Sequence, residues 1–112
     1  MAFVINTKSR MSPLQIEDPL IRVELYREIR NYQDTPPDNW TEYEIQAADA
    51  LMPELIAYKV YKLDTLKWVV MIAAGLDDPR ERLEVGSIIH LPPAVWIRER
   101  IKYWQTFEQI GR

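Results

Sequence analysis

Between Trp40 and Pro92 the period of the apolar residues switches along the chain, and the order of the switches leaves few folds open. From Trp40 to Gln46 the residues alternate. Trp40, Glu42, Glu44 and Gln46 fall on one side, Thr41, Tyr43 and Ile45 on the other. That pattern describes a strand with one wet face and one core face. Two short helical stripes follow, split by the charged step Lys62-Leu63-Asp64. In the first, Pro53 and Glu54 suit the opening turn, Ile56 and Val60 point inward, and Tyr58 and Tyr61 cover the edge of the core. In the second, Trp68, Val69, Ile72 and Ala73 form a packed stripe. Asp49 is placed to cap the first helix, and Asp64 or Thr65 the second. Gly75 fits a left-handed helix end, and Ile88-Ile89-His90-Leu91 before Pro92-Pro93 reads as a second strand.

Antiparallel pairing of that strand with residues 41–46 gives a β-α-α-β unit. Its core is expected to hold Tyr43, Ile45, Ile56, Val60, Trp68, Val69, Ile72, Ile89 and Leu91. A two-stranded sheet is marginal by itself, so helices must cover it. The expected class is therefore α+β, in three parts: residues 1–39, the unit at 40–93, and residues 94–112.

The first part opens as an irregular arm to residue 17. Asp18 then stands as an N-cap with Pro19 at the first helical position. Ile21, Leu25, Ile29 and Tyr32 recur at helical spacing over 19–31, although Ile21, Val23 and Leu25 also alternate as in a strand. The prolines of Asp34-Thr35-Pro36-Pro37-Asp38-Asn39 impose a stiff connector. In the last part, AVWIRERIKYWQTFEQI predicts a helix with Ile97, Ile101 and Trp104 on one face and Trp96, Arg100, Tyr103 and Phe107 beside it. Aromatic residues with arginine are characteristic of interface hot spots. The band is read either as a partner-facing surface or as packing against residues 19–31. On the first reading Ile21, Leu25, Ile29, Trp96, Ile97, Arg100, Ile101, Tyr103, Trp104 and Phe107 form the partner interface.

Composition narrows the chemistry. The 112 residues carry no cysteine, which removes disulfides, thiol chemistry and cysteine-held metals. His90 is the lone histidine and sits between Ile89 and Leu91, so no histidine cluster exists for a metal or a triad. The carboxylate pairs Asp77/Asp78 and Glu42/Glu44 read as solvated, and the glycines form no phosphate loop. No enzyme and no cofactor are indicated. A net charge of −3 speaks against a nucleic-acid binder, and the longest apolar run, Trp68 to Ala74, is too short for a membrane span. The first residues lack the pattern of a signal peptide. Charge is uneven: residues 31–55 hold Asp34, Asp38, Glu42, Glu44, Asp49 and Glu54 with no Lys or Arg, whereas the last stretch is mildly basic. Such asymmetry can steer assembly.

The succession EYEIQAAD, PELIAYKVY, LKWVVMIAAGLDDP and LEVGSIIHLPP resembles a LysM module, and more closely the LysM-like wedge subunit of contractile phage baseplates. Asp49 matches that family's turn acid. Leu55, Ile56, Ala57, Tyr58 and Tyr61 match its first helix, and Trp68, Val69 and Ile72 its second. Gly75, Pro79, Gly86, Ile89 and Pro92 match its closing turn and strand. Departures are Ala48 for a usual glycine, Lys62 for another, and Ala74 for an asparagine. The resemblance implies a structural subunit joining wedge, hub and sheath-proximal proteins. It further implies six copies per ring, and a location in the virion after assembly in the host cytoplasm. Wall-binding LysM modules hold glycans between loops corresponding to Ala47–Met52 and Gly75–Val85. Here both loops are acidic and lack a sugar-stacking aromatic. A peptidoglycan-binding module of a tail or lysis apparatus is the alternative.

Overall fold

An aspartate followed by proline begins the first helix in the manner its chemistry favours. In a computed structural model, which describes residues 11–76, 78 and 80–110, α1 spans Pro19–Asn31. The Asp18 carboxylate accepts the Leu20 N–H at 2.9 Å, and Pro19 occupies a position whose N–H would have no helical partner. Leu25 and Ile29, one turn apart, are fully buried, so the helical period decides this segment over the strand-like alternation. Residues 1–10 of the expected arm lie outside the described residues. Residues 11–17 pack against the body: Ile16 is fully buried, and the Arg22 guanidinium donates to the carbonyls of Ile16 and Glu17 at 3.0 and 3.1 Å.

β1 (Thr41–Glu44) and β2 (Ile88–Leu91) pair antiparallel, with Thr41 opposite Leu91 and Tyr43 opposite Ile89. Between them run α2 (Pro53–Tyr61) and α3 (Lys67–Ala74). Ile45, Ile56, Val69, Ile89 and Leu91 are buried, while Tyr43, Val60, Trp68 and Ile72 are half-buried against them. Two expectations for β1 need correction. Trp40, placed by alternation on the wet face, is buried, and Thr41 is exposed. The Trp40 ring packs edge-on against Tyr32 and Trp96, with centroids at 5.2 and 5.0 Å, because the end of α1 and the start of the last helix cover that end of the sheet. Tyr58 also differs, standing exposed on α2 while Tyr61 alone reaches inward to donate to the Pro92 carbonyl at 2.6 Å.

Neither core helix is capped as its sequence suggests. A short 3-10 turn at Ala47–Asp49 separates Asp49 from α2, whose N-cap is Met52. Another, at Asp64–Leu66, makes Leu66 the residue before α3. α3 is apolar nearly all round, and burial of Val69, Val70 and Ala73 stabilises it in place of a cap. Both helices end in left-handed residues. Gly75 has φ +77°, and a Cβ there would lie 3.2 Å from Arg30 Nη1, which donates to the Ala73 carbonyl at 2.9 Å. Lys62 has φ +62° without a glycine's freedom, its N–H donating to the Tyr58 carbonyl at 2.9 Å. A left-handed lysine costs about 1–2 kcal/mol, part of which glycine returns as unfolded-state entropy. Lys62→Gly is thus expected to raise stability by about 0.5–1 kcal/mol, read as a higher thermal midpoint.

β2 has a second neighbour that no strand pattern announces. Gln33 accepts the His90 N–H at 2.8 Å and donates to the His90 carbonyl at 2.8 Å, covering the outer edge of β2 at His90 with a side-chain amide. Its Nε2 also donates to the Ile29 carbonyl at 3.1 Å. Gln33→Ala leaves two main-chain groups unpartnered and should cost about 2 kcal/mol in denaturant titrations.

The last helix, α4, runs Ala94–Ile110. Its contacts fix its direction: Glu108 meets Asp18, Arg100 meets Glu28, and Trp96 meets Tyr32, so α4 runs antiparallel to α1. The chain is an α+β domain with an N-terminal helix, a β-α-α-β core and a C-terminal helix. One hydrophobic cluster runs through all of it, from Ile16, Leu25 and Ile29 through Ile56 and Val69 to Ile97 and Ile101.

Candidate interaction surface

Two amphipathic helices flank the core, and each finds in the other the nearest place to bury its stripe. Ile97 and Ile101 of α4 are 0% and 2% exposed, and Leu25 and Ile29 of α1 are both 0% exposed. This corrects the partner-facing reading for these four residues: they form the seam inside one chain. Ile21 and Trp96, also expected at an interface, are half-buried against the same core. Packing against residues 19–31, the other reading, describes this side of α4.

At the margin of the seam, Glu28 collects three donors. Arg100 reaches it with Nη2 at 2.6 Å and Nε at 3.2 Å, and the Trp104 indole N–H donates at 2.7 Å. A bidentate arginine–carboxylate pair holds both side chains in one geometry. Trp104 is therefore a half-buried strut of the seam, and truncating it disturbs the fold as well as any surface. Glu108, 4% exposed, accepts the N–H groups of Glu17 and Asp18 and ties the last turns of α4 to the start of α1.

The outward side of α4 is different. Tyr103, Phe107 and Ile110, at i, i+4 and i+7, are 49%, 52% and 78% exposed. They border an open depression of about 570 Å³ completed by Glu99, Lys102 and Thr106. The ridge is held from beneath. The Arg100 guanidinium lies 4.2 Å from the Tyr103 ring centroid, and Trp104 meets Tyr103 and Phe107 edge-on at 5.0 and 5.4 Å. Arg100 is thus fixed by Glu28 on one side while it stacks on Tyr103 on the other. Rings fixed in this way lose little freedom on binding, which favours association. Of the expected interface, then, Tyr103 and Phe107 are presented to solvent, Arg100 and Trp104 support them, and the isoleucines face inward. Ile110 joins the ridge without having been anticipated, although it continues the same helical spacing. For Glu28 and Glu108 the sequence offered no signal, since an acid on an amphipathic helix reads as solvated.

A second polar centre lies across the molecule. The fully buried Asp49 accepts the Tyr43 hydroxyl at 2.6 Å, the Gln46 N–H at 3.0 Å and the Lys59 ammonium at 3.0 Å. Burial raises the carboxyl's pKa, but the bonds from Tyr43, Gln46 and Lys59 together outweigh it and hold Asp49 below the usual carboxylate value. Burial, then the bond to Asp49, pushes the Tyr43 phenol upward. Asp49's partners come from β1, from Gln46 just after it and from α2, so the cluster locks the turn between the strand and the helix. His90 turns Nε2 to within 3.6 Å of a Glu42 carboxylate oxygen, and its Nδ1 is buried with no hydrogen-bond partner among the described residues.

Among the described residues no group of three or more His, Asp or Glu is arranged to hold a metal ion, and no helix is long and apolar enough to cross a membrane. No protein-family model, curated protein or solved structure matches the chain.

Proposed function

We propose that this chain is a structural assembly subunit of a contractile phage-tail baseplate, with a LysM-like unit as its rigid centre, that links wedge components to the hub and the sheath-proximal ring. The observation that carries the assembly role is the exposed ridge Tyr103–Phe107–Ile110, braced by Arg100 and Trp104. A soluble fold gains nothing by presenting fixed rings to water, whereas a partner gains a preformed hot spot. The order of elements and the antiparallel strands agree with the LysM-like reading, and the resemblance of residues 40–93 supports the baseplate setting. On this reading the partners are other baseplate proteins, the copy number is six per ring, and the location is the virion.

The peptidoglycan-binding alternative is less well supported. The loops at 47–52 and 75–85 are joined by the Leu83 N–H donating to the Ala50 carbonyl at 2.7 Å. They expose Leu51 and Met52 but contain no aromatic ring on which a sugar would stack.

Replacing Tyr103 and Phe107 together with alanine removes the ridge and leaves the seam intact. The thermal midpoint should stay within a few degrees of wild type, while binding to the co-assembling subunit weakens by more than about 100-fold, or roughly 3 kcal/mol. Quantitative binding of the tagged chain to tail assemblies, wild type against double variant, measures this. Equal incorporation of the folded variant contradicts the proposal, and retention of the wild type on purified cell wall instead favours the glycan-binding alternative.

A further inference from the structure

The sheet has two outer edges, and they are treated differently. That of β2 is covered at His90, where Gln33 takes up both main-chain groups. The hydrogen-bond phase of the antiparallel pair then follows. Ile45 donates to Ser87 at 2.9 Å, and His90, opposite Glu42, faces away, so the bonds between strands fall on the odd-numbered residues of β1. The main-chain groups of Glu42 and Glu44 therefore point outward, and β1 has no other strand neighbour among the described residues. Among the described residues only the Glu44 carbonyl has a substitute partner, the Gln46 side-chain amide at 3.0 Å. Glu42 and Glu44, two apart and exposed, place their carboxylates on one face along this edge. Asp34 and Asp38 are exposed on the connector that leads into it, residues 31–55 carry no Lys or Arg, and Lys59 of α2 is engaged with the buried Asp49.

We infer that the outer edge of β1 receives an extended segment of a partner protein bearing Lys or Arg at alternate positions, added as a third strand. Main-chain bonds to Glu42 and Glu44 supply the register, and cations at every second position meet the two carboxylates. The same acids make the edge selective: a second copy of β1 laid alongside would set glutamate against glutamate, which excludes edge-to-edge self-association. This surface is separate from α4, and the inference does not rest on the proposed function.

The test uses the full chain, labelled with ¹⁵N, and a blocked pentapeptide alternating lysine and valine as probe. Titration to about 1 mM should shift the Glu42 and Glu44 amide resonances and slow their hydrogen exchange, with the inward amides of Tyr43 and Ile45 already protected. A peptide alternating glutamate and valine should leave the spectrum unchanged. Joint Glu42→Lys and Glu44→Lys substitution should weaken the lysine peptide more than tenfold. Glu42→Pro, which removes an outward N–H while keeping the bonds to β2, should abolish the protection. Unperturbed edge amides, equal binding of the acidic peptide, or undiminished binding to the folded charge-reversed variant would each overturn the inference.

Discussion

Ile97→Ala should lower the stability of the chain by about 3–4 kcal/mol, a large share of what a domain of this size possesses. Ile97 is fully buried at the seam where α4 meets α1, within the same cluster as Leu25, Ile29 and Leu91. Truncation to alanine loses the transfer energy of the removed carbons and leaves a void that two helices fixed by Glu28 and Glu108 cannot close. Val95, on the same helix but 57% exposed, provides the control: Val95→Ala should change stability by less than about 0.5 kcal/mol. Urea unfolding of both variants checks this. If α4 were an appendage that orders only on a partner, the two substitutions would have similarly small effects on the isolated chain.

A comparably large effect is expected at Asp49. In Asp49→Asn an amide N–H₂ must face either the Gln46 N–H or the Lys59 ammonium, setting donor against donor in a buried place. The loss is about 2–3 kcal/mol at neutral pH, kept at the lower end because Lys59 is partly in water. The sign with pH follows from the lowered Asp49 pKa. A depressed carboxyl stabilises the folded state above its unfolded value, about 3.9, and that contribution disappears as pH falls through the lower folded value. Wild type and variant should therefore differ most near neutrality and converge on acidification, as protonated Asp49 comes to resemble the amide. Denaturant midpoints at about pH 7 and about pH 3 measure the convergence. A gap independent of pH would mean that the charge of Asp49 is not what holds the turn between β1 and α2.

The parts of this fold legible in the sequence are those in which local chemistry and burial agree. Asp18-Pro19 starts α1, Gly75 ends α3, and β1 and β2 pair antiparallel, because cap, left-handed turn and alternation are each written within a few residues. The misplaced residues are those whose surroundings come from far along the chain. Trp40 looks solvent-facing by alternation, yet Tyr32 and Trp96 bury it, and nothing near Trp40 announces them. The caps at Asp49 and Asp64 were displaced by 3-10 turns that carry no distinct residue signature. Gln33, Glu28 and Glu108 act through partners 57 to 91 positions away, so each reads locally as an ordinary polar residue. For the candidate surface, the band expected on the last helix is wider than the part of it that is exposed. Spacing identified an aromatic and aliphatic stripe, but only the position of α1 separates Ile97 and Ile101, which face it, from Tyr103 and Phe107, which face away.

The central claim is that the outward face of α4 is covered in an assembled particle, and a cryo-EM reconstruction of the native complex containing this chain tests it most directly. The account predicts that the Tyr103, Phe107 and Ile110 side chains are buried under another subunit around a tail hub, with the α1–α4 seam unchanged. A reconstruction in which that face is open to solvent in every copy, or a chain that remains a monomer bound to nothing in the producing cell, would contradict it.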